Sequence, residues 1–271
     1  IGEGARRFGA GDFSQPIPDR CCKAHDELGE LASTINTMGR DIHQMLEAKR
    51  ALLLAISHEL RSPLTRARLN TELLPDSAEV NPQREALLRD LQEMAALIND
   101  LLESERLSGQ HSALQREPTD VPVLAREVLV GLQPRHPRSA GVQVIADPGL
   151  SAVSVDPSRT RLLLRNLLDN ALRHGADAHE PPHLKLQART DGGVDIEVRD
   201  FGPGVSEEQI AQLAQAFYRP DSARTRSAGG VGLGLYLCRL VAQAHGGAFA
   251  VRNAQPGLVV RVQLPGDRTG S

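Results

Sequence analysis

The feature that most constrains this chain is a narrow stripe of apolar residues, spaced alternately by three and four, in its N-terminal part. The stripe comprises Ile35, Met38, Ile42, Met45, Leu52 and Ile56. Such heptad-like spacing predicts a helix, from about residue 26 to 74, that packs along another helix. A second stripe begins after the turn signal at residues 75–77, and its members are Leu87, Leu91, Met94, Ile98 and Leu101. We therefore expect a long antiparallel hairpin, and a dimeric four-helix bundle to bury both stripes.

The pattern of apolar residues changes after residues 108–109. Alternating apolar residues predict strands near 142–146, 152–155, 184–188, 194–198 and 258–264. Helices are predicted at 159–174, 206–216 and 232–245, and Asp156 and Pro157 are the expected N-cap and first residue of the first of these. Pro118 and Pro122 indicate a linker or an entry strand. Mixed helices and strands of this kind predict an α/β domain with helices on one face of a sheet.

Composition excludes several classes of protein. The 271 residues carry a net charge of -3, which gives no electrostatic argument for nucleic-acid binding. No apolar run reaches the ~18 residues of a membrane span. The sequence contains 3 cysteines, and Cys21 and Cys22 beside His25 indicate reduced thiols more than a metal site. Because the chain opens with Ile1 and shows no signal peptide, we expect a soluble piece of a longer protein.

The first candidate for chemistry is His58, which is followed by Glu59 and, five residues on, by Pro63. If Ile56 faces the helical seam, His58 points to water about 200° around the helix. Pro63 lacks the N–H that a helix interior uses, at a cost of about 3 kcal/mol. A purely structural helix avoids that cost. Alone, an exposed histidine beside a glutamate is typical of a solvated face, so its meaning depends on the second domain.

The second candidate is a helix whose polar side carries Asn166 and Asn170, four residues apart, followed by Arg173 and His174. Amide oxygens can complete a Mg²⁺ shell made mostly of phosphate oxygens and water. Arginine and histidine can bind phosphate directly. An amphipathic helix with an asparagine-rich face is the simpler alternative.

The third candidate is Asp200, which shares a strand face with apolar residues and should point inward. A buried carboxylate is costly unless it is paired. A ligand that offers an N–H, such as the amine of adenine, would supply a partner, and Gly202 and Gly204 would let a flat base approach the backbone. A plain turn at the end of a strand is the alternative.

The fourth candidate is the glycine-rich start of a helix at residues 229–238. Free backbone N–H groups at such a start can bind phosphate. The spacing is neither that of a P-loop nor that of a dinucleotide-binding fold.

Together these segments resemble the conserved blocks of bacterial sensor histidine kinases. Residues 57–64 are similar to the H-box, 166–174 to the N-box, 200–204 to the first glycine box, 217–219 to the F-box and 230–234 to the second glycine box. Residues 5–48 resemble the later part of a HAMP signalling linker. The resemblance implies three domains: a partial HAMP linker over 1–48, a dimerisation and histidine-phosphotransfer hairpin over 49–109, and a catalytic ATP-binding domain over 115–267.

The resemblance also implies a fold, an activity and a site. The fold is a dimeric helical hairpin followed by an α/β sandwich of the type shared with Hsp90 and gyrase. His58 would accept the γ-phosphoryl group of ATP with Glu59 as base, Asn170 would hold Mg²⁺, and Asp200 would bind adenine. The remaining nucleotide contacts would be Asn166, Arg173, His174, Gly202, Gly204, Tyr218, Arg219, Gly230, Val231, Gly232, Leu233, Gly234 and Leu235. The phosphoryl group would pass to the receiver domain of a response regulator, and the intact homodimeric protein would be anchored in the bacterial inner membrane.

One departure from the family pattern is Ser62, where threonine is usual. The resemblance links this position to dephosphorylation of the response regulator. Serine keeps the hydroxyl group and loses the rotamer restriction of a β-branched side chain. Two other classes of function stay open: an ATP-driven clamp without a phosphohistidine, and a non-catalytic dimerisation module with an inactive pocket.

Overall fold

The computed structural model describes residues 6, 27–75, 77, 80–108, 114–220 and 232–266. These residues fall into two compact units, Ile1–Ala95 and Ala96–Ser271, and each unit is described by itself. Predictions for Cys21, Cys22, His25, Gly230 and Val231 lie outside the described residues. Among the described residues, no helix combines the length and apolar composition that a membrane span requires.

Two long helices dominate the N-terminal part of the chain, as the two stripes predict. Helix α1 covers Glu27–Glu72 and continues through Pro63. Helix α2 covers Asn81–Ser108, and its residues from Ala96 onward belong to the second unit. Along α1, the stripe residues Met38, Met45 and Leu52 are 57%, 72% and 60% exposed. The stripe of α1 is therefore largely uncovered within a single chain.

The second unit is built on a five-stranded sheet with the order β2-β4-β5-β7-β6. Its strands are β2 (Gln143–Ala146), β4 (His183–Ala188), β5 (Val194–Arg199), β6 (Ala248–Asn253) and β7 (Leu258–Leu264). Strand β2 runs parallel to β4, and the other neighbours are antiparallel. Two further strands, β1 (Glu117–Thr119) and β3 (Val153–Val155), form a separate antiparallel pair.

Four α-helices accompany these strands: α3 (Val121–Leu132), α4 (Pro157–His174), α5 (Glu207–Ile210) and α6 (Gly234–Ala244). Helix α4 begins as predicted, because the Asp156 side chain accepts a hydrogen bond from Arg159 N at 3.0 Å. Its leucines Leu163, Leu164 and Leu167 are at most 1% exposed and form part of the hydrophobic core. The opposite face of α4 is thereby left for the polar residues.

Three elements differ from the sequence predictions. Helix α3 lies where the prolines indicated a linker, because Asp120 caps it through Val123 N at 2.9 Å and Pro122 fits its first turn. Strand β6 was not predicted at all. The helix predicted at 206–216 is observed only as the short helix α5. A capping box at Ser206 begins α5, and the chain continues in turns after it.

Candidate functional site

His58 lies on the solvent-exposed side of α1. Its neighbour Ser57 is only 3% exposed and donates a hydrogen bond to Leu53 O at 2.8 Å. Glu59 is exposed as well. The predicted phosphoacceptor and its predicted base are thus both accessible from solvent within the first unit.

Ser62 stands one helical turn after His58 and is also exposed. Its hydroxyl oxygen accepts a hydrogen bond from the Arg66 guanidinium at 2.8 Å. The histidine, the serine and the arginine therefore follow one another at intervals of four residues along one face of α1.

In the second unit, α4 meets the start of α6 at Asn166 and Gly234. The Asn166 amide nitrogen donates to Leu162 O at 3.0 Å. A Cβ atom added to Gly234 would lie 3.4 Å from Asn166 Oδ1, so glycine permits this close approach. Asn170 is half-buried one turn further along α4. The structure thereby brings Asn166 next to the predicted glycine-rich helix start.

Asp200 follows strand β5 and is 4% exposed. Its Oδ1 accepts hydrogen bonds from Gly202 N at 3.0 Å and from Leu258 N at 3.1 Å. This corrects the expectation that the carboxylate needs a ligand to supply a donor, since the backbone supplies two. Burial nevertheless raises the pKa of Asp200, which the two backbone bonds only partly offset.

The turn after Asp200 packs against the end of α4, backbone to backbone. A Cβ atom added to Gly202 would lie 2.5 Å from His174 O. Gly204 has a φ of 71°, and Asn253 holds the turn by donating to Val205 O at 2.8 Å. The predicted glycine turn is therefore fixed directly beside the predicted phosphate contact His174.

Residues 217–219 meet Gly232 in the same way. Phe217 N donates to Gly232 O at 3.1 Å. Gly232 has a φ of 80°, and an added Cβ atom would lie 2.6 Å from Tyr218 O. The predicted F-box and the start of α6 are thus neighbours, and Leu233, the residue before α6, is buried. The side chain of Leu235, another predicted contact, joins the hydrophobic core.

His174 is the electrostatic centre of these segments. Desolvation by the surrounding protein, followed by the charge of Arg173, lowers its pKa, and Arg219 acts in the same direction. Asp200 and Asp169 act in the opposite direction. The lowered pKa favours the neutral imidazole, which lies near the guanidinium groups of Arg173 and Arg219.

No group of three or more histidine, cysteine or acidic residues in the described part of the chain is arranged to hold a metal ion. Asn166 and Asn170 offer amide oxygens, which can complete the shell of a Mg²⁺ ion carried by phosphate oxygens.

Three family models match the chain in succession. The HAMP domain matches residues 1–44, the His Kinase A (phospho-acceptor) domain matches residues 48–110, and the histidine kinase-, DNA gyrase B- and HSP90-like ATPase matches residues 155–268. The chain belongs to the sensor histidine kinase family.

Curated members of the sensor histidine kinase family match over nearly the whole chain. The signal transduction histidine-protein kinase BaeS of Escherichia coli K12 is 31% identical over 98% of this chain and 56% of its own length. The sensor histidine kinase CpxA of Escherichia coli K12 is 34% identical over 88% of this chain and 52% of its own length. The sensor histidine kinase MtrB of Mycobacterium tuberculosis H37Rv is 32% identical over 96% and 47%. The chain thus spans about half the length of these relatives.

Solved structures of sensor histidine kinases share the fold. Full-length ShkA in complex with AMPPNP has a TM-score of 0.65 and 27% identity, over 82% of this chain and 47% of that one. The Acinetobacter baumannii histidine kinase AdeS has a TM-score of 0.54 and 21% identity, over 78% of this chain and 98% of that one. The helical N-terminal region and the mixed α/β ATPase domain predicted from the sequence are therefore confirmed.

Several residues around the site were not found from the histidine kinase motifs. Leu258 N, which bonds to Asp200, lies 58 residues further along the chain. Asn253 and Asp169 likewise contact the site from positions without a local signal, since an asparagine in a strand or an aspartate in a helix is ordinary. Gly257, with a φ of 86° directly before β7, follows Pro256, and a glycine after a proline could have indicated a special turn there.

Proposed function

We propose that this protein is the kinase portion of a two-component sensor, which phosphorylates His58 with ATP and passes the phosphoryl group to an aspartate of a response regulator. The observation that supports it best is the meeting of three separate segments around α4. Asn166 faces Gly234, His174 faces Gly202, and the F-box segment contacts Gly232. This arrangement suits a purine nucleotide whose phosphates lie near Arg173 and His174.

The proposed reaction is an in-line phosphoryl transfer. The bond between the γ-phosphorus and the bridging oxygen breaks, a bond to a ring nitrogen of His58 forms, and ADP leaves. Glu59 accepts the proton that the imidazole gives up. Asn170 holds the Mg²⁺ ion that accompanies ATP, Asp200 binds adenine, and Asn166, Arg173, His174, Tyr218, Arg219 and residues 202–204 and 230–235 contact the nucleotide.

The organisation of the intact protein is part of the proposal. Residues 1–48 form a partial HAMP linker, 49–109 the dimerisation hairpin and 115–267 the catalytic domain. The exposed stripe of α1 supports a homodimer, because a second copy of α1 would cover Met45 and Leu52, which are 72% and 60% exposed. The HAMP match supports an intact protein that is anchored in the inner membrane with this portion in the cytoplasm.

Dephosphorylation of the response regulator is a second proposed activity. It rests on the exposed hydroxyl of Ser62, which Arg66 holds at 2.8 Å. That bond restricts a serine rotamer that would otherwise be freer than that of threonine.

Incubation of the full chain with γ-labelled ATP and Mg²⁺ tests the kinase proposal. We expect an acid-labile, base-stable label that disappears in His58→Gln. His43→Gln is the matched control, because His43 is another exposed histidine on α1. Release of free phosphate without labelled protein would favour the ATP-driven clamp, and absence of nucleotide binding would favour the inactive module. Label that persists in His58→Gln would disprove His58 as the acceptor.

A further inference from the structure

The loop that follows α3 contacts the phosphate end of α4 from outside the nucleotide blocks. Three of its side chains, Arg135, His136 and Arg138, bond to α4 or to the turn after it. These residues belong to none of the sequence blocks discussed above. Their contacts fall at two points, the C-terminal end of α4 and Asp169.

At the first point, Arg138 binds carbonyl groups of the turn that follows α4. Its guanidinium donates to Gly175 O at 3.0 Å, to Ala178 O at 2.6 Å and also to Ala176 O. A forked cation is well suited to bind several of them at once.

The end of α4 in turn fixes the adenine side of the site. A Cβ atom added to Gly175 would lie 3.9 Å from Asp200 Cβ, and one added to Gly202 would lie 2.5 Å from His174 O. The approach of Gly202 to His174 is between backbone atoms, which cannot absorb a shift by changing a rotamer. A displacement of residues 174–176 would therefore move Asp200 and its turn as well.

At the second point, His136 and Arg173 share one carboxylate. His136 Nε2 lies 2.9 Å from Asp169 Oδ1, and the Arg173 guanidinium donates to Asp169 Oδ2. The side chains of His136 and Asp169 are only 17% and 16% exposed, so the pair is shielded from water. Arg135 approaches the same carboxylate at 3.8 Å and is 57% exposed, which makes it the weakest of these contacts.

We propose that residues 135–138 position the nucleotide-binding end of α4: Arg138 fixes the helix end against Asp200, and His136 fixes Arg173 through Asp169. These residues are positioning residues, since they act through groups that touch the nucleotide. The inference rests on the proposed function of Asp200 and Arg173 as nucleotide contacts. Residues 135–138 would thus influence the affinity for the nucleotide without contacting it.

Variants at the two points of contact should differ in how they affect the affinities for AMPPNP and adenosine. Arg138→Ala should weaken the binding of both AMPPNP and adenosine, because the adenine side shifts. Asp169→Asn and His136→Ala should weaken AMPPNP and leave adenosine unchanged, because only the orientation of Arg173 is lost. We expect Arg138→Ala to weaken AMPPNP affinity about tenfold, the factor that corresponds to about 1.4 kcal/mol. We expect Asp169→Asn and His136→Ala to weaken AMPPNP affinity about threefold to fivefold.

The experiment is titration of the full chain with AMPPNP and with adenosine in the presence of Mg²⁺, together with the melting temperature and the initial rate of His58 labelling at several ATP concentrations. A positioning role raises the ATP concentration that gives half of the maximal labelling rate and leaves the rate at saturating ATP near the wild-type value. Arg138→Lys should recover part of the affinity, since lysine keeps the charge and loses the fork. A general loss of folding would lower the melting temperature and the active fraction without changing the ratio of the two affinities.

Arg161→Ala is the matched control. Arg161 pairs with Glu127 at 2.7 Å from the N-terminal half of the same helix, and both side chains are about half exposed. If the wild-type chain binds AMPPNP and the Arg138, Asp169 and His136 variants bind like Arg161→Ala, the positioning role is wrong. Equal losses for AMPPNP and adenosine in Asp169→Asn would overturn the role of His136 and Asp169. A wild-type chain that binds neither ligand would instead refute the proposed function.

Discussion

Helices α1 and α4 differ in how far their apolar side chains are exposed to solvent. On α1, Met38 and Met45 are 57% and 72% exposed, whereas Leu163 and Leu164 on α4 are fully buried. Helices in proteins gain most of their stability from packing one face. The α/β unit therefore contains its own core, whereas the described residues of the chain leave most of the apolar stripe of α1 uncovered. Stability should consequently be intrinsic in one region and dependent on association in the other.

The largest difference in the free energy of unfolding should be between truncation of a buried side chain on α4 and truncation of an exposed side chain on α1. Leu167→Ala removes a side chain that is 1% exposed, and we expect it to lower the free energy of unfolding by about 2–5 kcal/mol. Met45→Ala should change it by no more than about 0.5 kcal/mol at low protein concentration. Urea unfolding of both variants at several protein concentrations measures these free energies. The comparison fails if Met45→Ala costs as much as Leu167→Ala in the monomer.

A smaller effect should follow from crowding the junction between β5 and α4. Gly202→Ala places a methyl group where it would lie 2.5 Å from His174 O. We expect about 1–3 kcal/mol of destabilisation, since a backbone atom must move, and weaker AMPPNP binding. Gly131→Ala is the control, because an added Cβ there meets nothing within 4 Å. Equal stability of the two variants would show that the junction is loose.

Acid should weaken the α/β unit through His245. This residue is 1% exposed, its Nε2 accepts from Asp156 N at 3.2 Å, and burial lowers its pKa from 6.5. As the pH falls below about 6.5, the unfolded chain takes up a proton that the folded chain does not, so stability declines. Unfolding of wild type and His245→Gln at pH 7.5 and 5.5 measures this. An equal pH dependence in both would exclude His245 as its source.

The smallest effect should come from a surface ion pair on α1. Arg68 Nε lies 2.8 Å from Glu72 Oε1, with side chains 55% and 39% exposed. Arg68→Ala should cost only about 0.3–0.5 kcal/mol, and the cost should shrink at high salt. A loss of more than about 1 kcal/mol would mean that α1 is stabilised by its charges and not by association.

The fold was predictable where a strong local signal agreed with the packing. The Asp156 cap of α4 is such a signal. The stripe of α1 also predicted its helix, although the described residues leave most of that stripe exposed. Helix α3 was missed because Pro122 was interpreted as a break, although proline in the first turn after a capping aspartate is a start signal. Strand β6 was missed because its outward positions, Ala248 and Ala250, are small and apolar and hide the alternation.

The sequence predicted the residues of the candidate site better than the groups that hold those residues in place. Asp200 was identified as a buried carboxylate, and it is buried. Its donors were not identified, because Leu258 N reaches it through the pairing of β5 with β7. Residues 135–138 were not identified either, because their contacts with α4 arise only from the folded arrangement.

Strand β5 is the middle strand of its sheet, with β4 on one side and β7 on the other. Asp200 extends this ladder by one more bond, from its own N–H to Leu258 O at 3.0 Å. Amide hydrogens in such a position exchange with solvent only when the whole unit opens, whereas edge strands such as β2 and β6 open locally. The proposed recognition of the adenine base by Asp200 should therefore persist when either edge strand frays, and it should be lost only when the whole unit unfolds cooperatively.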